Sequence, residues 1–398
     1  MNPPTSTVRR PWYRSRTVRR FLRNRLAVVA LMIVVTYLLT ALLVFGGMIT
    51  LDDTEARVSA GSIPALFQPQ PPEKRLEDCQ FWLDELKKAL DQTDAKAALG
   101  DVQFGAVDVA SLPLPELRET HEQARRLDQS LAGYADLNDA PEAATKLVEL
   151  EELVAQLFPL PEGLGAVQRF IELSLGTDRQ GRSIALRATY SIMVAVQIGL
   201  VTAVLSVVIG GLLGGAAGYF GSWVDGGVTW LYTTFSSIPY LVLLVLIAYM
   251  FIGTVFDGTL FPVYVAFCAT FWIGPCRTIR GETLKIKQLE YVQAARSMGF
   301  SQLHTMVRHV LPNTTHLMLV GFSLNFIAAI KAEVILTFLG LGVKKGPSWG
   351  IMIAQSGSEV VNGFFSQIAA ATIFMFGLVL AFNILSDALQ DVFDPKHV

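Results

Sequence analysis

Charge is what this 398-residue chain has least of: Lys, Arg, Asp and Glu make up 17% of it and avoid five long stretches altogether. Leu26–Leu51, Ala188–Val224, Gly226–Phe256, Gly258–Cys276 and Val360–Ser386 contain no charged residue. Cysteine is scarce too. Cys79, Cys268 and Cys276 are too few and too scattered to form a disulfide framework, which excludes a small disulfide-stapled fold. No G-x-x-x-x-G-K-[ST] phosphate loop occurs. The five histidines, His121, His304, His309, His316 and His397, have no recognisable metal-ligand spacing, so nothing in the sequence points to an enzyme.

What is abundant is apolar sequence. A helix needs about 20 apolar residues to cross a ~30 Å hydrocarbon core, and each charge-free stretch reaches or approaches that length. A sixth stretch, Asn313–Gly342, is interrupted only by Lys331 and Glu333. The pattern predicts an all-α membrane protein with six transmembrane helices. The first apolar stretch is longer than the ~7–15 residues of a signal peptide, and "VFGGMITLDD" offers no A-x-A-like cleavage site, so an uncleaved anchor is expected.

The few charges are unevenly placed. Residues 1–25 carry eight arginines and no acid, residues 52–172 carry 24 acids against 11 bases, and residues 277–312 carry six Lys/Arg against two acids. Basic residues beside spans stay on the cytoplasmic side, which puts the N-terminus and the 277–312 loop inside. Six spans then put the C-terminus inside and the acidic segment outside. The Arg-rich tail abuts a span and sets orientation, so no nucleic-acid partner is expected.

The expected organisation is a cytoplasmic tail (1–25), a first helix (26–51), an extracytoplasmic helical insertion (52–174) and a five-helix transmembrane domain (175–395). Within the insertion, Leu76, Cys79, Leu83, Leu86 and Leu90 repeat at spacings of three and four over 73–90. Leu147, Leu150, Val154 and Leu157 do the same over 144–158, and 122–131 reads as a third helix after the break "SLPLPEL". In the second span, Gly210, Gly214 and Gly218 recur every four residues, as do Gly211 and Gly215, a pattern that lets helix backbones approach closely in lipid.

Between two spans lies "EYVQAARSMGF" (290–300). Tyr291, Ala294, Ala295 and Met298 fall at i, i+3, i+4 and i+7, and Gly299 suits the left-handed residue that ends a helix. Ser301 can cap a second short helix bearing Leu303, Met306, Val307 and Val310, and Pro312 marks a break or restart. The paired alanines allow a close approach by another backbone. The charged side chains Glu290, Arg296 and Arg308 suit a polar partner.

"EYVQAARSMGFSQLHTMVRHVLPN" resembles the EAA loop of ABC-importer permeases, with Gln293 where that family usually has glutamate, and with Ala294, Ala295, Gly299, Leu311 and Pro312 matching. "RRFLRNRLAVVALMIV", "LGTDRQGRS", "GYFGSWVD", "AEVILTFLGLGV" and "LAFNILSDALQDVFDP" are similar to the C-type permease subunit of dipeptide and oligopeptide (peptide/nickel) importers. The resemblance covers roughly 10–50 and 174–395 but not 52–173. It implies the type I importer permease fold and an inner-membrane location. It also implies a second homologous permease, two ABC ATPase subunits that bind ATP and Mg, and an extracytoplasmic substrate-binding protein, with no cofactor in this chain. Coupling to the ATPases would fall to Glu290, Tyr291, Gln293, Ala294, Ala295, Arg296, Gly299 and Pro312. Gly176, Thr177, Asp178, Gly181 and Arg182 would shape the outer mouth on the binding-protein side, and Glu333 would line the translocation path or pair with a neighbouring span. The substrate implied is a peptide, with a nickel chelate, an antibiotic peptide or an oligosaccharide as alternatives. A stand-alone secondary transporter would need inverted repeats and several midplane ionisable groups, which the sequence does not display.

Overall fold

The computed structural model describes residues 23–59, 61, 71–91, 113–134, 141–158 and 164–393. Most of the Arg-rich tail, the start of "SLPLPEL", and the C-terminal end with His397 lie outside the described residues. Among the described residues the regular structure is helical, with isolated bridges pairing Arg57 with Arg182 and Thr177 with Ser183. The all-α class expected from the sequence stands. The chain divides into two compact units, one of Met1–Leu42, Ile192–Lys345 and Phe374–Val398, the other of Leu43–Ser191 and Gly346–Ile373.

The helices, in chain order, are α1 (Arg25–Phe45), α2 (Leu51–Glu55), α3 (Pro72–Leu90), α4 (Leu114–Leu131), α5 (Pro141–Leu157) and α6 (Leu164–Ser174). Then come α7 (Ile184–Phe220), α8 (Ser222–Ser236), α9 (Tyr240–Tyr249), α10 (Phe261–Phe271) and α11 (Ile273–Ile286). The chain continues through α12 (Glu290–Ser297), α13 (Gln302–Thr305), α14 (Thr315–Phe338), α15 (Trp349–Val361) and α16 (Ser366–Phe393).

Among the described residues, four helical stretches are long and apolar enough to cross a membrane: Arg25–Phe45, Ile184–Phe220, Gln302–Phe338 and Ser366–Asp391. A fifth is reached if α8 and α9, bent by 86°, are one span. Pro239 stands at the entry to α9; it lacks an N–H and keeps the residue before it out of the helical region, so the charge-free run 226–256 breaks there. The remaining expected span, Gly258–Cys276, is covered by an 11-residue α10 and the start of a 14-residue α11. Trp272 between them keeps helical angles (φ −68°, ψ −20°). Among the described residues, length and composition thus pick out four or five candidate spans, and the sixth expected from the sequence is not among them. Large apolar side chains point outward along α1, including Leu26, Leu39 and Leu42, a surface that water would not tolerate and a bilayer covers.

Within the first unit the glycine pattern of α7 has a clear use. A Cβ added at Gly210 would stand 2.5 Å from the Trp272 carbonyl oxygen, and one at Gly218 would stand 2.8 Å from that of Arg280. At Gly214 it would overlap the carbonyl of Cys276. Three glycines four apart thus lie on three carbonyls four apart, so α7 and α11 pack backbone to backbone. Gly211 and Gly215, on the adjoining face, meet the side chains of Met318 and Leu311.

In the second unit, α3, α4 and α5 form a three-helix bundle with its own core. Leu83 and Leu86 of α3, Leu117 and Leu131 of α4, and Leu147, Leu150 and Leu157 of α5 are buried together. The 3-4 spacing read from 73–90 and 144–158 is the buried stripe. The middle helix starts at Leu114, earlier than the expected 122, because Pro115 falls in the first turn, where a missing N–H breaks no intrahelical bond.

Candidate functional site

The 277–312 segment is built from its anchors outward. α12 begins after the extended Leu289, and its buried residues are Val292 and Ala295. Val292 joins Tyr219, Ile286, Met306 and Val310 in one apolar cluster. The helix ends as expected: Gly299 has φ +84°, its N–H reaches the Arg296 carbonyl (3.0 Å), and the Phe300 N–H reaches that of Ala295 (3.3 Å). Ser301 then accepts from the His304 N–H (3.3 Å) and caps α13. Pro312 lies in a 3-10 turn (Leu311–Thr314), after a π-helical turn (Met306–Val310), and the chain runs on into α14.

The apolar positions do not all face inward. Ala295 is buried, but Tyr291, Ala294 and Met298, read as the same face, are exposed, as are Leu303 and Val307. Met306 and Val310 are the buried pair of the second helix. Each short helix therefore has one apolar strip bound to its own chain and a second that faces outward. Glu290, Gln293 and Arg296 are exposed beside it. Gln293 donates to the Gln288 carbonyl (3.1 Å), a bond an ionised glutamate could not make. The Tyr291 hydroxyl accepts from Asn313 (2.8 Å), which also donates to the His309 carbonyl (2.7 Å).

The second group of expected residues forms a buried polar turn. Gly176 (φ +80°) and Gly181 (φ +75°) take left-handed conformations at its ends. At Gly181 a Cβ would also collide with the Ser59 carbonyl, whose residue donates its own N–H to the Gly181 oxygen (3.2 Å). Asp178 is the hub. One carboxylate oxygen accepts the N–H groups of Gln180 and Arg182 (both 2.9 Å); the other accepts from Arg182 Nε (2.9 Å) and Arg187. Arg182 also reaches Glu55 (2.6 Å), and both arginines donate to Gln355 of α15 (3.3 and 3.0 Å). Thr177 donates to the Gly61 carbonyl (2.6 Å). The Arg179 N–H is taken by Glu359 (3.0 Å), whose pKa burial pushes above the ordinary glutamate range despite that hydrogen bond. Asp178 is sealed from solvent, whereas Arg179 and Gln180 are exposed.

Glu333 is buried on α14 and accepts from Thr337 (2.9 Å), which in turn accepts the Val343 N–H (3.1 Å). Lys331 faces outward. Sequence reasoning missed Arg187, Gln355, Glu359 and Tyr219. Only Arg187 left a signal, as a cation just inside a span; Gln355 and Glu359 make contacts 168 and 180 residues away in sequence, and Tyr219 lies among ordinary apolar neighbours.

These features define a multi-pass helical membrane protein with a helical loop carrying an outward apolar strip and a buried polar turn at the head of a long span. A family model described as a binding-protein-dependent transport system inner membrane component matches residues 206–397, and one for the N-terminal transmembrane domain of oligopeptide transport permease C matches residues 11–72. The dipeptide transport system permease protein DppC of Bacillus subtilis is 33% identical over 225 residues, 56% of this chain and 68% of that protein. The oligopeptide transport system permease protein OppC of Haemophilus influenzae is 31% identical over 222 residues, 56% of this chain and 70% of that one. The glutathione transport system permease protein GsiD of Pectobacterium atrosepticum is 31% identical over 227 residues, 56% and 72% of the two chains. The chain belongs to the family of binding-protein-dependent transport system inner membrane components.

Proposed function

We propose that this chain is a permease subunit of an ATP-driven importer that carries di- or oligopeptides across the cytoplasmic membrane. The family and the named substrates of its relatives support the transport class and the peptide. The chain would work with a second, related permease, two ATPase subunits that bind ATP and Mg, and an extracytoplasmic binding protein. Hydrolysis would then be the partners' chemistry and translocation this chain's. The basic tail and basic 277–312 loop favour cytoplasmic termini, with the 52–174 insertion outside.

The observation that carries the coupling role is the exposed strip of α12. Ala294 and Met298 face outward with Glu290 and Gln293 beside them, while Val292 and Ala295 fasten the helix from behind. A small residue among exposed apolar ones lets a partner's backbone close in, and the flanking polar groups can hydrogen-bond to it. Arg179 and Gln180, exposed on the polar turn, are the side chains of that group available to a docked protein. Asp178 and Arg182 hold the turn's shape.

The test is co-purification of tagged chain with co-expressed ATPase subunits in mild detergent. Wild type brings down the ATPases. Ala294→Asp with Gly299→Asp loses them while the chain itself stays monodisperse. An intact wild-type preparation with no ATPase bound would sink the proposal.

A further inference from the structure

Tyr219, at the end of α7, is fully buried among Ile286, Val292, Met306 and Val310. Two cations from different elements lie over its ring. The Lys287 ammonium, just past α11, is 5.8 Å from the ring centroid, and the Arg296 guanidinium of α12 is 5.6 Å from it. Both distances are within the range where a cation is held by the ring's negative face. The Tyr219 hydroxyl has no hydrogen-bond partner among the described residues, and packing and these cations hold the ring. Next to it, Gly218 would press a Cβ against Thr283, so α7 and α11 touch at the same level.

Resting on the coupling role proposed for α12, we propose that Tyr219 is the positioning residue that ties the coupling helix to α7, with Arg296 and Lys287 gripping its ring. Arg296, although exposed, then acts inward on its own chain rather than across the interface. A displacement of α12 is passed to α7 through this ring, because the apolar cluster and both cations converge on it. Without the ring, α12 still presents its outward strip to a partner, but its movement is no longer transmitted.

The test uses the full complex reconstituted in proteoliposomes with a tryptic casein digest restricted to short peptides. Peptide import is read by mass spectrometry and ATP hydrolysis by phosphate release. Tyr219→Leu retains bound ATPase subunits but imports roughly tenfold fewer peptides per ATP, and Tyr219→Phe, which keeps the ring, matches wild type. A merely structural residue would lower complex yield and leave the ratio of import to hydrolysis unchanged. Should Tyr219→Leu fail to fold, Lys287→Gln, Arg296→Gln and their double variant decide the matter. Residues acting through one ring give a double variant no worse than the more severe single one, whereas independent residues multiply their effects. Multiplying effects, a Phe variant as impaired as Leu, or a Leu variant with wild-type import per ATP would overturn the inference. Failure of the functional reading itself is visible in wild type alone, as loss of bound ATPase or of peptide import.

Discussion

Asp178 and Arg187 form an ion pair nine residues apart, with each side chain only 1% exposed. The carboxylate also holds Arg182 and two backbone N–H groups, so its lone pairs are fully used. The turn is thus organised around a charge that water does not reach. Its residues pack the second unit and leave Arg179 and Gln180 as its outward contacts.

Removing one partner of such a pair strands the other. Asp178→Ala is expected to destabilise the folded chain by about 3–5 kcal/mol, whereas adding Arg187→Met to it recovers part of the loss. Thermal unfolding in detergent, followed by size-exclusion fluorescence, checks this. A double variant less stable than Asp178→Ala would contradict it.

The glycines of α7 are expected to differ sharply. Gly214→Ala forces a methyl into the Cys276 carbonyl and costs about 1–3 kcal/mol, because the neighbour is backbone and cannot rotate away. Gly211→Ala meets the mobile end of Met318, and a helix-propensity gain of about 1 kcal/mol offsets the repacking. Melting temperatures of the two single variants decide it: equal losses would mean that α7 and α11 do not touch as described.

Glu359, outside the candidate spans, holds its proton more tightly in the folded chain than in the unfolded one. The folded state therefore binds more protons between the ordinary glutamate pKa and the raised value. The stability it contributes is full below the unfolded pKa and is lost as pH rises through the folded pKa. Glu359→Gln keeps an oxygen for the Arg179 N–H but has no proton to lose. Its melting temperature should fall less than that of wild type from pH 4.5 to pH 8, within a window opening near about pH 4.3. Parallel profiles would show that Glu359 is ionised without penalty.

Cys79 gives a probe of the three-helix bundle. Burial, with nearby Glu151 and Asp78, pushes its thiol up to about 12, so little thiolate exists near neutrality. N-ethylmaleimide at pH 7.5 should leave Cys79 unmodified in the folded protein and modify it fully after denaturation, as read by peptide mass spectrometry. Rapid labelling of the native chain would mean that α3 does not pack on α5.

The bundle was legible because its information is local: Leu83, Leu86, Leu147 and Leu150 repeat with the helix, and the repeat is what becomes buried. The glycine seam was legible for the same reason, although its partner was not. The loop was only half legible. Periodicity grouped Tyr291, Ala294, Ala295 and Met298, yet the chain buries Ala295 with Val292 and exposes the rest. A short loop helix has apolar residues on two sides, and its period cannot say which side its own protein covers. The span count was less legible, because it rested on length alone. Charge-free sequence runs through Pro239, but the helix bends by 86° there. The polar turn announced its polarity but not its closure, since Gln355 comes from 168 residues beyond Arg187.

At Gly210, Gly214 and Gly218, no side chain of α7 intervenes between it and the carbonyls of Trp272, Cys276 and Arg280. Ordinary helix contacts can slip because interlocked side chains change rotamer and re-seat one notch further on. Here α7 contributes no rotamers to change, and its nearest neighbours are peptide groups. The seam behaves as a weld: it resists sliding and lets neither helix turn without carrying the other. Whatever displaces one of them moves a paired beam, and flexibility has to be sought at the beam's ends, in the chain breaks around Gly221 and Leu289.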